Sequence, residues 1–150
     1  LEQAGYPEAD IERALVWLRK ASPLAGDDRA EQARIAIVHG SALSDTAHYG
    51  AAIGMLRDAE ALANCIGDVK QVAYAQSMLG RALLLCGDLD AASAALDRSV
   101  AIAQQSWTAL LPWPQALRAE VDLMRGDVAA AADRFDHAFA LACQLGDPCS

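Results

Sequence analysis

The chain has 150 residues, of which 54% are hydrophobic, 21% charged and 5% aromatic, and its formal net charge is −8. That length suits one domain with a sizeable core, and the apolar content excludes a disordered chain. The sequence shows neither an apolar run long enough for a membrane span nor a signal peptide, and the excess of acidic residues argues against direct contact with nucleic acid.

Helical periodicity runs through most of the sequence, and β-branched residues never alternate over the length of a strand. The pattern predicts seven helices, at about 7–21, 28–44, 46–65, 69–86, 88–105, 111–125 and 128–145. Asp45, Thr46 and His48 are interpreted as the start of the third helix, because Asp and Thr favour helix N-termini.

Gly-Asp pairs separate several of the predicted helices, at Gly67-Asp68, Gly87-Asp88 and Gly126-Asp127. Glycine suits the left-handed residue that follows a helix, and aspartate caps the helix that comes next. These pairs therefore predict tight turns between antiparallel helices.

Both ends of the sequence depart from this regular pattern. A linker-like stretch at 21–27 predicts that the first helix packs irregularly. The chain begins at Leu1 and ends near Asp147-Pro148, a pair that would open another helix. We therefore expect a single domain, 1–150, excised from a longer protein.

Internal repetition is visible at a period of 39 to 40 residues. The matching sets are Gly40, Ala52, Leu56 and Ala59; Gly80, Ala92, Leu96 and Ser99; and Ala119, Ala131, Phe135 and Ala138. The small residues are predicted to let paired helices approach, while Leu56, Leu96 and Phe135 fill the space between pairs. If its ring is fully buried, Phe135→Ala should cost roughly 3 to 5 kcal/mol.

This pattern resembles the tetratricopeptide repeat, in which a small residue late in one helix is followed by Ala, a large apolar residue and Ala on the next. The 12-residue step from Gly80 to Ala92 recurs in all three units, but the period exceeds the usual 34 residues and Ser99 replaces the last Ala of its unit. The resemblance implies an all-α, right-handed α-solenoid of antiparallel helix pairs, with repeats at about 28–66, 69–106 and 111–146.

The junction that runs from Ala138 through Leu145-Gly146 to Asp147-Pro148 resembles the helical-repeat regions of LuxR-type and maltose-regulator-like bacterial signalling ATPases. In those proteins the solenoid lies between an NTPase module and a DNA-binding domain. The resemblance implies a protein-interaction or ligand-sensing domain of a bacterial transcriptional regulator. The alternative is a stand-alone adaptor or oligomerisation scaffold.

The sequence contains no constellation that indicates catalysis. It has no phosphate-binding glycine loop and no nucleophile elbow. His39, His48 and His137 are interpreted as structural or surface residues. The four cysteines, which include Cys65 and Cys149, form no CxxC pair and have no histidine at metal-ligand spacing. We therefore expect a cytoplasmic protein that is not an enzyme and holds no metal or other cofactor.

The tetratricopeptide resemblance also implies a concave groove lined by the first helix of each pair. Carried over to this sequence, the inward positions are Arg34, Ser41, Tyr74, Ser77, Arg81, Trp113 and Glu120. Aromatic and arginine side chains suit recognition of a protein, a peptide or a small effector. Packing of Tyr74 and Trp113 against neighbouring helices is the competing explanation, and self-association into a homo-oligomer stays open.

Overall fold

The computed structural model describes residues 8–146. Its helices are α1 (Glu8–Ala21), α2 (Arg29–Asp45), α3 (Tyr49–Cys65), α4 (Val69–Cys86), α5 (Leu89–Ser106), α6 (Pro112–Met124) and α7 (Val128–Leu145). Two short 3-10 turns, Ser22–Ala25 and Thr108–Leu110, precede α2 and α6. Residue 7 of the first predicted helix and the predicted helix start at Asp147-Pro148 lie outside the described residues.

The Gly-Asp turns are confirmed where the sequence predicts them. Gly87 adopts φ +88° after α4, and the Asp88 carboxylate accepts a hydrogen bond of 3.1 Å from the backbone N–H of Ala91. Gly67-Asp68 and Gly126-Asp127 repeat the arrangement. Each aspartate satisfies one of the backbone donors that a helix N-terminus leaves unpaired.

The turn between α2 and α3 differs from its prediction. Asp45 is the last residue of α2, and Thr46 follows it as the C-cap, so neither residue starts a helix. Ala47 then takes φ +60°, the left-handed conformation that glycine takes at the other turns. His48 is the N-cap of α3 without a capping side-chain bond, and its Nδ1 lies 3.0 Å from the Thr46 hydroxyl. The structure therefore needs three non-helical residues here, which moves the start of α3 to Tyr49.

The helices pack as antiparallel pairs, α2 with α3, α4 with α5 and α6 with α7. The first helices of successive pairs also contact one another, α2 with α4 and α4 with α6, whereas the second helices α3, α5 and α7 make few or no mutual contacts. Because crowding of one row and separation of the other curves a stack, we call the α2–α4–α6 side the inner side. The α3–α5–α7 side is the outer side.

Glycine allows the close approach within the first two pairs. A Cβ added to Gly40 would lie 2.6 Å from Cγ of Leu56, and one added to Gly80 would lie 2.5 Å from Cγ of Leu96. Both leucines are completely buried, as the repeat pattern predicts. Ser99 is also buried, and its hydroxyl donates a hydrogen bond of 2.8 Å to the carbonyl of Ala73, which ties α5 to α4.

The third pair packs differently, and the predicted burial of Phe135 is wrong. Ala119 stands where the other pairs have glycine, so its methyl group occupies space that the leucine branches fill elsewhere. Phe135 is 37% exposed, although Ala131 and Ala138 beside it on α7 are buried. Within residues 8–146, α7 packs mainly against α6, and its other side is not covered.

The described residues thus form an all-α solenoid, as the sequence predicts. None of the described helices combines the length and apolarity that crossing a membrane requires.

Candidate binding groove

A cavity of about 450 Å³ lies on the inner side of the solenoid. It is lined by Ser41, Asp45, Tyr74, Met78, Arg81, Leu110 and Trp113. These residues come from α2, from α4, from the 3-10 turn before α6 and from α6 itself. The stacking of successive pairs therefore creates this cavity, which we call the inner groove.

Aromatic side chains form one wall of the inner groove. Tyr74 meets Trp107 edge to face, with ring centroids 6.4 Å apart and an interplanar angle of 69°. This contact holds the tyrosine ring in one orientation. Trp113 is 47% exposed, so its ring keeps a free surface. The wall combines a fixed ring with an accessible one.

Polar groups form the opposite wall. Nη2 of Arg81 donates a 2.6 Å hydrogen bond to Oδ1 of Asp45, and both side chains are about one-third exposed. The Ser41 hydroxyl lies 3.6 Å from the sulfur of Met78. The Arg81–Asp45 pair joins α4 to α2, which fixes a cation and an anion at the groove between two repeats.

Four of the seven residues predicted to face the groove line it: Ser41, Tyr74, Arg81 and Trp113. Ser77 is completely buried, and its hydroxyl donates to the carbonyl of Tyr74, so it does not reach the groove.

The other two predicted residues are exposed and lie outside the cavity. Arg34 pairs with Glu31 one turn earlier on α2, and the hydrogen bond and charge of Glu31 raise the pKa of Arg34. Glu120 lies at a surface position on α6. The inner groove is therefore shorter than the predicted set.

Asp45 and Leu110 are groove residues that the sequence prediction missed. Asp45 was interpreted as a helix cap, although it follows Ser41 by one helical turn and so lies on the same face of α2. Leu110 belongs to the 3-10 turn before α6, a segment that the repeat pattern does not register. The one-turn spacing was the available signal for Asp45.

The described part of the chain shows no metal centre. No group of three or more His, Cys, Asp or Glu side chains among residues 8–146 has the geometry to hold a metal ion. His39 is partly buried, and burial together with the charge of Arg19 lowers its pKa. Cys65, Cys86 and Cys143 are free thiols at exposed positions.

Comparison with known proteins finds a similar fold but no family. No family model matches the chain, and no curated protein matches it. Among solved structures, BtubC (BKLC) from P. vanneervenii is similar at a TM-score of 0.77 and 17% identity, over 93% of this chain and 59% of that one. The apo form of RapI is similar at a TM-score of 0.70 and 15% identity, over 91% of this chain and 37% of that one.

This chain thus spans little more than half the length of BtubC and about a third of that of RapI. Both are helical-repeat proteins. The similarity, at identities this low, concerns the fold alone: the chain has the fold of a tetratricopeptide-like helical-repeat solenoid.

Proposed function

We propose that this chain is a non-catalytic interaction domain that binds a short segment of a partner protein in the inner groove. The observation that carries the proposal is the joint lining of one cavity by three successive first helices. A segment that crosses the stack contacts all three repeats, so its affinity depends on their relative placement.

The groove chemistry indicates which segment it accepts. A large apolar side chain fits against the free face of Trp113 and the fixed ring of Tyr74. Beside them, Arg81 offers further guanidinium donors and Asp45 a second carboxylate oxygen, which suit the backbone amides of an extended peptide. The volume of about 450 Å³ accommodates a few side chains.

The proposal extends to a regulatory setting in the bacterial cytoplasm. The resemblance of the junction around Gly146 to repeat regions of LuxR-type regulators supports a place inside a larger transcriptional regulator. RapI, whose fold is similar, has an apo form and therefore a ligand. Binding would control attached domains if the segment has different affinities for two arrangements of the repeats.

A second candidate function, an oligomerisation scaffold, is favoured by the uncovered side of α7. Val128 and Phe139 are each more than half exposed there, and Leu145 is nearly so. Such neighbouring apolar side chains suit association with another solenoid end. A scaffold of this kind would show a sedimentation coefficient that rises with protein concentration and falls in Phe139→Ser.

Selection from a displayed library of random peptides tests the groove. The tightest peptide is titrated calorimetrically into the wild type, into Trp113→Ala and into Trp17→Ala. Trp17 is a matched control, because it is 67% exposed on α1 and lies outside the groove lining. We expect Trp113→Ala to weaken binding at least tenfold and Trp17→Ala to leave it unchanged.

Two results would contradict the proposal. Equal loss of affinity in both tryptophan variants would show binding that does not depend on the groove. Unchanged affinity in Trp113→Ala, with the same peptide displaced by none of the groove substitutions, would place the site on another surface. Circular dichroism of each variant checks that the helices are intact.

A further inference from the structure

A second cavity lies on the outer side of the solenoid, between α5, α6 and α7. Its volume is about 390 Å³. It is lined by Asp97, Val100, Ala101, Gln104, Gln115, Arg118, Asp133, Arg134 and His137. None of these residues belongs to the inner groove, so this outer cavity is a separate feature of the fold.

Comparison of the two outer interfaces shows what is special about this one. Between α4 and its neighbours, the core contains Leu79, Leu83 and Ala95, all buried. The residues 39 positions later are Arg118, Asp122 and Arg134. Three buried apolar positions of one repeat are thus three charged positions of the next.

These charged residues form a connected network. The Asp122 carboxylate, 9% exposed, accepts hydrogen bonds from Arg118 and, at 2.7 Å, from Nε of Arg134. Arg118, 11% exposed, also donates from Nε to Oδ1 of Asp97 at 3.1 Å. Burial raises the pKa of Asp122, but the hydrogen bonds and charges of Arg118 and then Arg134 outweigh it, so the pKa lies below its usual range. Stability does not require such a network, because apolar residues of similar volume serve a core at least as well.

The charge balance of the outer cavity is negative. Arg118 and Arg134 contribute two positive charges, whereas Asp97, Asp122 and Asp133 contribute three negative ones, with histidine counted as neutral. Asp133 has no ion-pair partner among residues 8–146. A ligand with one positive charge therefore neutralises the cavity, and a ligand with a negative charge adds to its imbalance.

The hydrogen-bonding groups point to the same kind of ligand. The amide oxygen of Gln115 is buried and has no donor in the described structure. The guanidinium of Arg134 also has N–H groups to spare, but that side chain is 45% exposed and water can satisfy them. The unmet need in the cavity is therefore for a donor. Val100 and Ala101 supply an apolar surface beside the charged groups.

We propose that the outer cavity binds a primary ammonium group on an aliphatic stem. The ammonium lies between the carboxylates of Asp97 and Asp133, with its three N–H donors available to them and to Gln115. The stem lies against Val100 and Ala101. Arg118 is a positioning residue, because it holds the Asp97 carboxylate at the cavity wall while Asp122 offsets its charge. The same chemistry is offered by a free alkylamine and by a lysine side chain of a partner protein.

Calorimetric titration with three ligands of equal stem length tests the charge that the cavity selects: pentylamine, 1-pentanol and pentanoate. We expect saturable binding of pentylamine only. Asp133→Asn should weaken it at least tenfold, whereas Asp136→Asn, the matched control on the exposed part of the same helix, should leave it unchanged. Circular dichroism confirms that both variants are folded.

Preferential binding of pentanoate, absence of any saturable heat with pentylamine, or equal affinity in the two aspartate variants would each overturn the proposal. A second titration with the blocked tripeptide acetyl-Ala-Lys-Ala-amide distinguishes the sources. Tighter binding of the tripeptide than of pentylamine supports a lysine of a partner protein, and binding of pentylamine alone supports a free amine. Neither result depends on the inner groove, which the tryptophan variants test separately.

Discussion

Replacement of Gly80 by alanine tests the close approach of α4 and α5 that the repeat pattern predicts. The added Cβ would lie 2.5 Å from Cγ and 2.7 Å from Cδ2 of Leu96, whereas carbon atoms in contact are normally about 3.5 to 4 Å apart. Leu96 is completely buried, so it has to move by roughly 1 Å into a packed core. Such overpacking costs about 1 to 3 kcal/mol.

The same substitution also has a favourable component, because alanine is better than glycine in a helix by about 1 kcal/mol. Gly54→Ala isolates that component, since Gly54 lies within α3, is exposed and has no atom within 4 Å of an added Cβ. We expect Gly54→Ala to raise the free energy of unfolding by about 0.5 to 1 kcal/mol. Gly80→Ala should lie below Gly54→Ala by about 1 to 3 kcal/mol, because helix propensity cancels between them.

Urea unfolding followed by ellipticity at 222 nm measures both variants, with the midpoint interpreted only where the slope is unchanged. The double variant Gly80→Ala/Leu96→Ala provides an internal check. Without the leucine branches, Gly80→Ala should become as favourable as Gly54→Ala. Equal stabilisation by Gly80→Ala and Gly54→Ala in the wild-type background would refute the argument from close packing.

Three further predictions follow from the described contacts. Leu96→Ala should cost about 2 to 5 kcal/mol in urea unfolding, whereas the partly exposed Phe135→Ala should cost less than about 3 kcal/mol; equal costs would mean that α7 is covered in solution. Ala47→Gly should raise the thermal midpoint, because Ala47 has a left-handed φ of +60° that costs a residue with a Cβ about 1 kcal/mol, and a lower midpoint would contradict this. Since Asp122 has a pKa below its usual value of about 4, the stability difference between wild type and Asp122→Asn should be full above that value. It should shrink as the pH falls through the lower pKa of the folded state, and a difference that instead grew on acidification would refute this assignment.

The architecture was predictable from the sequence because local chemistry determines it. Gly87-Asp88 specifies a left-handed residue and a helix cap within two positions, and the 12-residue step from Gly80 to Ala92 indicates where two helices touch. The same logic failed at Asp45 and Thr46. There, an alanine at position 47 adopts the glycine conformation, which no local propensity signals.

The inner groove was predictable only in part, since it depends on contacts between distant residues. Tyr74 and Trp113 were found from their repeat position. The partner of Arg81 was not, because Asp45 is 36 residues away and its pairing depends on how α2 and α4 stack. Ser77 occupies a position equally suited to the groove by periodicity, but its side chain turns back to the carbonyl of Tyr74.

The outer cavity shows why a departure from a repeat is more informative about function than the repeat itself. Where Leu79 and Leu83 continue the core, the chain gains stability from burial, and each such repeat is interchangeable with its neighbours. Arg118 and Asp122 at the equivalent positions give up that burial and require two further charged groups to be satisfied. A chain in which α4 and α5 already contribute most of the buried apolar residues can tolerate this substitution in the next pair. The central pair therefore supports the fold, and the interface of α5, α6 and α7 is the part of the solenoid with the most freedom to acquire a ligand of its own.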